Sequence, residues 1–155
     1  MARLKELPEE IRSEYLDRGF SDENLNIKNI NFDLEEKIAS AEVDVETNFE
    51  NSYETGGDNA YHWSAITAYR AVSQVAVGYI CTELNMPKNQ IGEIMQISSH
   101  MRTAKPINEV SKVPINIEFQ KYFKRGSNLY GELNFNIADR SFTGGIRFAV
   151  DLQGR

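Results

Sequence analysis

The side chains of this sequence that could do chemistry gather at one place, the front of a long apolar segment. "NSYETGGDNAYHWSA" brings Tyr53, Asn59, Tyr61, His62 and Ser64 together, directly ahead of "ITAYRAVSQVAVGYICTEL". An imidazole titrates near neutrality and suits His62 to accepting a proton, although it could equally help cap a helix. The free amides of a helix's first turn, reinforced by the helix dipole, favour negative charge developing on a carbonyl oxygen. Ser64 could cap that turn or join such a site. Ser73, in mid-segment, could bond back to the preceding turn or offer its hydroxyl to a ligand. Tyr53 and Tyr61 read either as rim or interface aromatics or as hydroxyl donors.

Other chemistries find no support. Cys81 is the sole cysteine and sits in the apolar segment, so no disulfide forms within the chain and a small buried hydrophobe is expected. His62 and His100 come with no G-x-S-x-G motif, and with one cysteine they do not make a zinc pattern. No phosphate-binding glycine loop is present. Neither metal nor cofactor is expected. Arg70 stays protonated and cannot act as a base; it could pair with an acidic residue, for instance across a dimer interface, or hold a ligand's carboxylate or phosphate. His100, in "SSHMR", reads as a strand residue that a second subunit could bring to a site.

The elements that must position these groups can be read from periodicity. "LPEEIRSEYLDRGF" predicts a short amphipathic helix, with Pro8 at its start and Gly19 at its stop. Leu25, Ile27, Ile30 and Phe32 predict a strand with an irregularity. Ala39, Ala41, Val43 and Val45 alternate with polar residues and predict a second strand with one wet face. After the flexible point Gly56-Gly57, Asp58 or Asn59 is the expected cap of a helix over 60–84 with almost no polar side. Its alanines, Ser73 and Gly78 let a neighbour approach closely, and Pro87 follows its end. Everything beyond reads as strand: "GEIMQISSHMRTAKPI", "VPINIEFQKYF", "LYGELNFNI" and "FTGGIRFAVDL", with turns at "KRGSN" and "ADRS". Gly131 marks a bulge or a close backbone contact. A helix greasy on nearly every face can be buried only by a sheet that curls round it.

At 155 residues the chain is read as one domain, 1–155. Hydrophobic residues make up 41% and charged residues 26%, and the net charge of −6 argues against a nucleic-acid binder. The acidic N-terminus is unlike a signal peptide and no run suffices for a membrane span, so a cytoplasmic location is expected.

The order of elements resembles the hotdog fold, an α+β architecture in which a curled antiparallel sheet wraps one long central helix, here with a short N-terminal helix. Within it, "HWSAITAYRAVSQVA" resembles the helix of the FcoT-like long-chain fatty acyl-CoA thioesterases. His62, Trp63, Ala65 and Gln74 keep that family's pattern, while Ser64 and Ser73 stand where the family has asparagines. Tyr53 is the match for the family's tyrosine, with Tyr61 as rival. The resemblance implies hydrolysis of an acyl thioester on coenzyme A or on an acyl carrier protein, with fatty or polyketide-type chains. Tyr53, His62, Ser64 and Ser73 would be catalytic; Asn59, Tyr61, Trp63, Arg70 and Gln74 would bind substrate. It also implies a homodimer or a dimer of dimers with the pocket between subunits. Hotdog dehydratases carry an acidic residue where Arg70 stands here. A dehydratase or isomerase, or a non-catalytic acyl-binding or assembly module, are the alternatives. "KYFKR" (Lys121 to Arg125) could dock phosphates or a carrier helix.

Overall fold

The computed structural model describes residues 23–46 and 62–152. Over these the chain forms β1 (Asn24–Asp33), β2 (Ile38–Glu46), α1 (Ala65–Leu84), a short 3-10 turn (Lys88–Gln90), β3 (Ile94–Thr103), β4 (Val113–Arg125), β5 (Asn128–Ile137) and β6 (Phe142–Asp151). The six strands make one antiparallel sheet in the order β1-β2-β4-β5-β6-β3. The expected N-terminal helix, Gly56-Gly57 and the expected caps Asp58 and Asn59 lie outside the described residues. Among the described residues no helix is long and apolar enough to cross a membrane.

Strand alternation sets the faces. In β4, Val113, Ile115, Ile117 and Phe119 are buried while Pro114, Asn116, Glu118 and Gln120 are exposed. In β2, Ala39, Ala41, Val43 and Val45 point inward, and in β6 Phe142, Ile146, Phe148 and Val150 do the same. A period of two places every second residue on one face, which is the pattern the sequence carries. Where the period breaks, the register shifts. The irregularity foreseen in β1 falls between Lys28 and Asn31, where Asn29 takes φ 49° and Ile30 is left exposed. A second shift, between Phe119 and Lys121, flips the end of β4 and turns Tyr122 inward.

The helix begins later than the pattern predicts. Ser64, in extended conformation, is its N-cap, and the Ser64 hydroxyl accepts a hydrogen bond from the Thr67 amide at 3.0 Å. The apolar pattern begins at Ala60, but a side-chain acceptor at Ser64 satisfies an otherwise orphaned amide and fixes the start there. At the far end Asn85 in left-handed conformation closes α1.

The sheet covers one side of α1, not its whole circumference. Thr67, Ala68, Ala71, Val72, Val75, Ala76, Tyr79 and Ile80 form the buried stripe. Ile66, Ser73 and Gln74 are exposed, with Tyr69, Arg70 and Val77 half-buried between. The helix lies against β1, β2 and β4. Tyr79 is the pivot of this contact: it stacks on Phe119 at 4.1 Å and meets the edge of Phe32 at 5.7 Å. Stacked and edge-on aromatic pairs add about 1 kcal/mol beyond their burial.

Tyr79 is fully buried, and burial, with Glu83 and Asp33 nearby, pushes its hydroxyl up to about 12. Burial and the adjoining Glu83 raise Tyr122 as well. A tyrosine in the unfolded chain ionises near 10. Between about pH 10 and pH 12 the unfolded state therefore binds fewer protons than the folded one, and stability falls as pH rises. Denaturation midpoints across this range should show a loss of about 2 kcal/mol that shrinks in Tyr79→Phe. Equal alkaline slopes in both proteins would contradict the assignment.

Candidate functional site

The front of α1 is held by its neighbour loop. Trp63 is 2% exposed; its backbone amide donates to the Ile107 carbonyl at 2.8 Å and its indole nitrogen to the Glu109 carbonyl at 3.0 Å. The ring thus anchors the chain as it enters the helix. His62 lies exposed just before it. The Ser64 hydroxyl, besides capping, lies 2.9 Å from that of Thr67. With the Thr67 amide taken, the first-turn amides of Ala65 and Ile66 are the donors that the helix itself leaves without acceptors. Tyr53, Asn59 and Tyr61 lie outside the described residues.

Arg70 is an ion-pair member. Its Nη1 stands 3.5 Å from the Glu23 carboxylate, whose side chain is wholly buried, and its Nη2 donates to the Glu23 carbonyl at 3.2 Å. The sequence left open an acidic partner or a ligand's anion for Arg70; an acidic partner is present in the same chain, 47 positions away. Among the described residues no three His, Cys, Asp or Glu side chains converge as a metal site would require.

Because α1 sits towards β1, β2 and β4, space is left on its other side. An apolar cavity of about 340 Å³ lies between Ser73, Ala76, Val77 and Ile80 of the helix and Ile94, Gln96, Leu133, Ile146 and Phe148 of β3, β5 and β6. Lys88 and Glu93 complete its lining. A mostly apolar hollow with a few polar groups at its edge is the usual form of a small-ligand site. Ser73 is among the lining residues, whereas Ser64 is not. Nine residues of helix separate the two serines, about 13 Å along the axis and two and a half turns round it. Within one protomer the polar front and the cavity are distinct places. An outward stripe of Ile66, Tyr69, Ser73 and Val77, at spacings of three and four, runs from one to the other.

The opposite face of the sheet carries a larger and more polar hollow, about 700 Å³, with His100, Arg102, Asn116, Glu118, Asn134, Asn136 and Arg140 on its walls. His100 thus faces away from α1, on the side where alternation leaves polar residues. This hollow is open and walled largely by polar side chains, and the inner cavity is the better candidate for an apolar ligand. The "KYFKR" patch is partly neutralised: Lys121 and Arg147 both reach Glu132, at 3.8 and 2.9 Å, while Phe123 stacks on Tyr130.

The cavity was not legible as such in the sequence. Gln96 and Glu93 at its rim, and Phe148 in its wall, carry no motif; only the inward phase of β3 and β6 could have marked them.

Comparison with solved structures finds a hypothetical protein of Staphylococcus aureus, determined in complex with CoA, at 12% identity and TM-score 0.46, over 85% of this chain and 77% of that one. A hypothetical thioesterase protein of Streptococcus pneumoniae, with coenzyme A, aligns at 10% identity and TM-score 0.42, over 82% and 85%. No family model matches the chain, and no curated protein does.

Proposed function

We propose that the chain is an acyl-thioester hydrolase acting on fatty or polyketide-type chains carried by coenzyme A or an acyl carrier protein. The observation that carries this is the apolar cavity beside α1, reached along the Ile66–Val77 stripe from a helix front whose Ala65 and Ile66 amides have no acceptor within the helix. The tail would lie in the cavity and the thioester carbonyl near the first turn. There the Ala65 and Ile66 amides and the helix dipole offset the charge that builds on the oxygen during attack. His62 would take the proton from the attacking water, with Tyr53 or Ser64 orienting it and Ser73 facing the chain. Asn59, Tyr61 and Gln74 would shape the approach, Trp63 would hold the helix front in place, and Arg70 would steady the helix through Glu23.

The working unit would be a homodimer or a dimer of dimers. β3 is an edge strand that lends Ile94 and Gln96 to the cavity and leaves Met95 and Ile97 exposed, and an open apolar edge favours pairing. A second copy there would close the cavity's open side.

One observation favours a second reading, an acyl-binding module without turnover: Ser64 is occupied by capping, and the helix front and the cavity do not meet within one protomer. Thiol release from acyl-CoAs of graded length separates the two. Hydrolysis is expected to rise with chain length and to fall about a hundredfold in His62→Ala, the scale of a lost general base. Tight binding with no thiol release would select the module; neither binding nor release would overturn both.

A further inference from the structure

The aromatic ring in the cavity's lining, Phe148, has an unusual seat. Phe148 and Gly131 are cross-strand partners, and the ring lies directly on the glycine backbone. A Cβ on Gly131 would come within 2.3 Å of the ring's Cζ and 2.8 Å of Cε2. The ring can occupy this place only because residue 131 has no side chain. Two neighbours fix its tilt: Phe119 at 6.2 Å and Tyr122 at 6.3 Å, both edge-on. Beyond the ring lie the buried Tyr122 hydroxyl and one oxygen of Glu83. Phe148 therefore stands between the apolar cavity and a polar interior that an alkyl tail would leave poorly solvated.

We infer that Phe148, seated on Gly131, sets the length of the acyl chain the protein accepts. The inference rests on the acyl reading above. A tail that slides along Ser73, Val77 and Ile80 stops against the ring, and each carbon that cannot enter stays in water. Removing the ring extends the cavity towards Tyr122. Giving residue 131 a side chain lifts the ring off its seat and into the cavity, so the two changes should act in opposite directions.

Calorimetric titration of the full chain with non-hydrolysable acyl-CoA thioethers of increasing length tests this. In the wild-type protein affinity should improve about fourfold per added methylene and then stop improving at a definite length. Phe148→Leu should move that break upward by about two carbons and Phe148→Ala by about four, while Gly131→Ala should move it downward. Phe148→Leu keeps an apolar side chain in the core and stands in if Phe148→Ala fails to fold. A break at the same length in the wild type, Phe148→Leu and Gly131→Ala would overturn the inference while leaving the acyl reading intact. No binding of any chain to the wild type would remove the acyl reading itself, and the inference with it.

Discussion

Ala76→Phe is expected to weaken acyl-chain binding about a hundredfold or more while leaving the protein folded. Ala76 is 6% exposed and lines the cavity between α1 and the β5–β6 side of the sheet. A phenyl ring placed there enters existing space of about 340 Å³ instead of displacing packed atoms, so the overpacking cost that normally follows a small-to-large change should be small. The chain it excludes loses its burial. At about 0.8 kcal/mol per methylene, exclusion of four methylenes removes about 3 kcal/mol of binding, more than two decades in Kd. Thiol release, where it occurs, should fall with binding at low substrate. Unchanged affinity in a folded Ala76→Phe protein would show that the ligand does not use this cavity.

The largest expected loss of stability comes from Gly144→Ala. On β6, a Cβ at this position would lie 2.1 Å from the His100 carbonyl oxygen, 2.7 Å from Phe135 Cζ and 3.0 Å from Met101 Cα. Two of these neighbours belong to the backbone of β3, the edge strand, which cannot swing aside as a side chain does. Relief requires β3 to move off β6, breaking ladder bonds around the Met101–Gly144 pair. We expect a loss of about 3 kcal/mol, the upper end of ordinary overpacking, read as a lower midpoint in chemical denaturation. Because β3 also supplies Ile94 and Gln96 to the cavity, acyl binding should weaken in the same variant. A midpoint within experimental error of the wild type would mean that β3 is more loosely attached than its register implies.

The sheet was largely written in the sequence, for a reason visible in β4. Ile115, Ile117 and Phe119 alternate with polar partners because one face of an antiparallel strand meets water and the other does not. The break at Ile30 and the special place of Gly131 could also be read, since a lost period and a lone strand glycine each have few structural causes. The start of α1 could not. Residues from Ala60 onward are apolar enough to belong to a helix, and the Ser64–Thr67 bond that starts it selects one of three capping positions, Asp58, Asn59 and Ser64. Nor could the partner of Arg70 be found: Glu23 lies far away in the chain, and charge alone does not choose among the acidic residues. The cavity was hidden for a deeper reason. It arises from where α1 sits on the sheet, close to β1, β2 and β4, and no local pattern encodes that offset. Of the serines in "HWSAITAYRAVSQVA", Ser64 caps the helix and Ser73 lines the cavity, a difference in surroundings that the motif does not encode.

The most direct measurement is a methyl-resolved NMR titration with a non-hydrolysable acyl-CoA thioether. If an acyl chain is held between α1 and the β3–β6 side of the sheet, resonances of Val77, Ile80, Ile94 and Ile146 will shift together, and Ile38 on the outer face will not. Silence from those four methyls at saturating ligand, or shifts confined to Ile38, would contradict the placement and the function proposed from it.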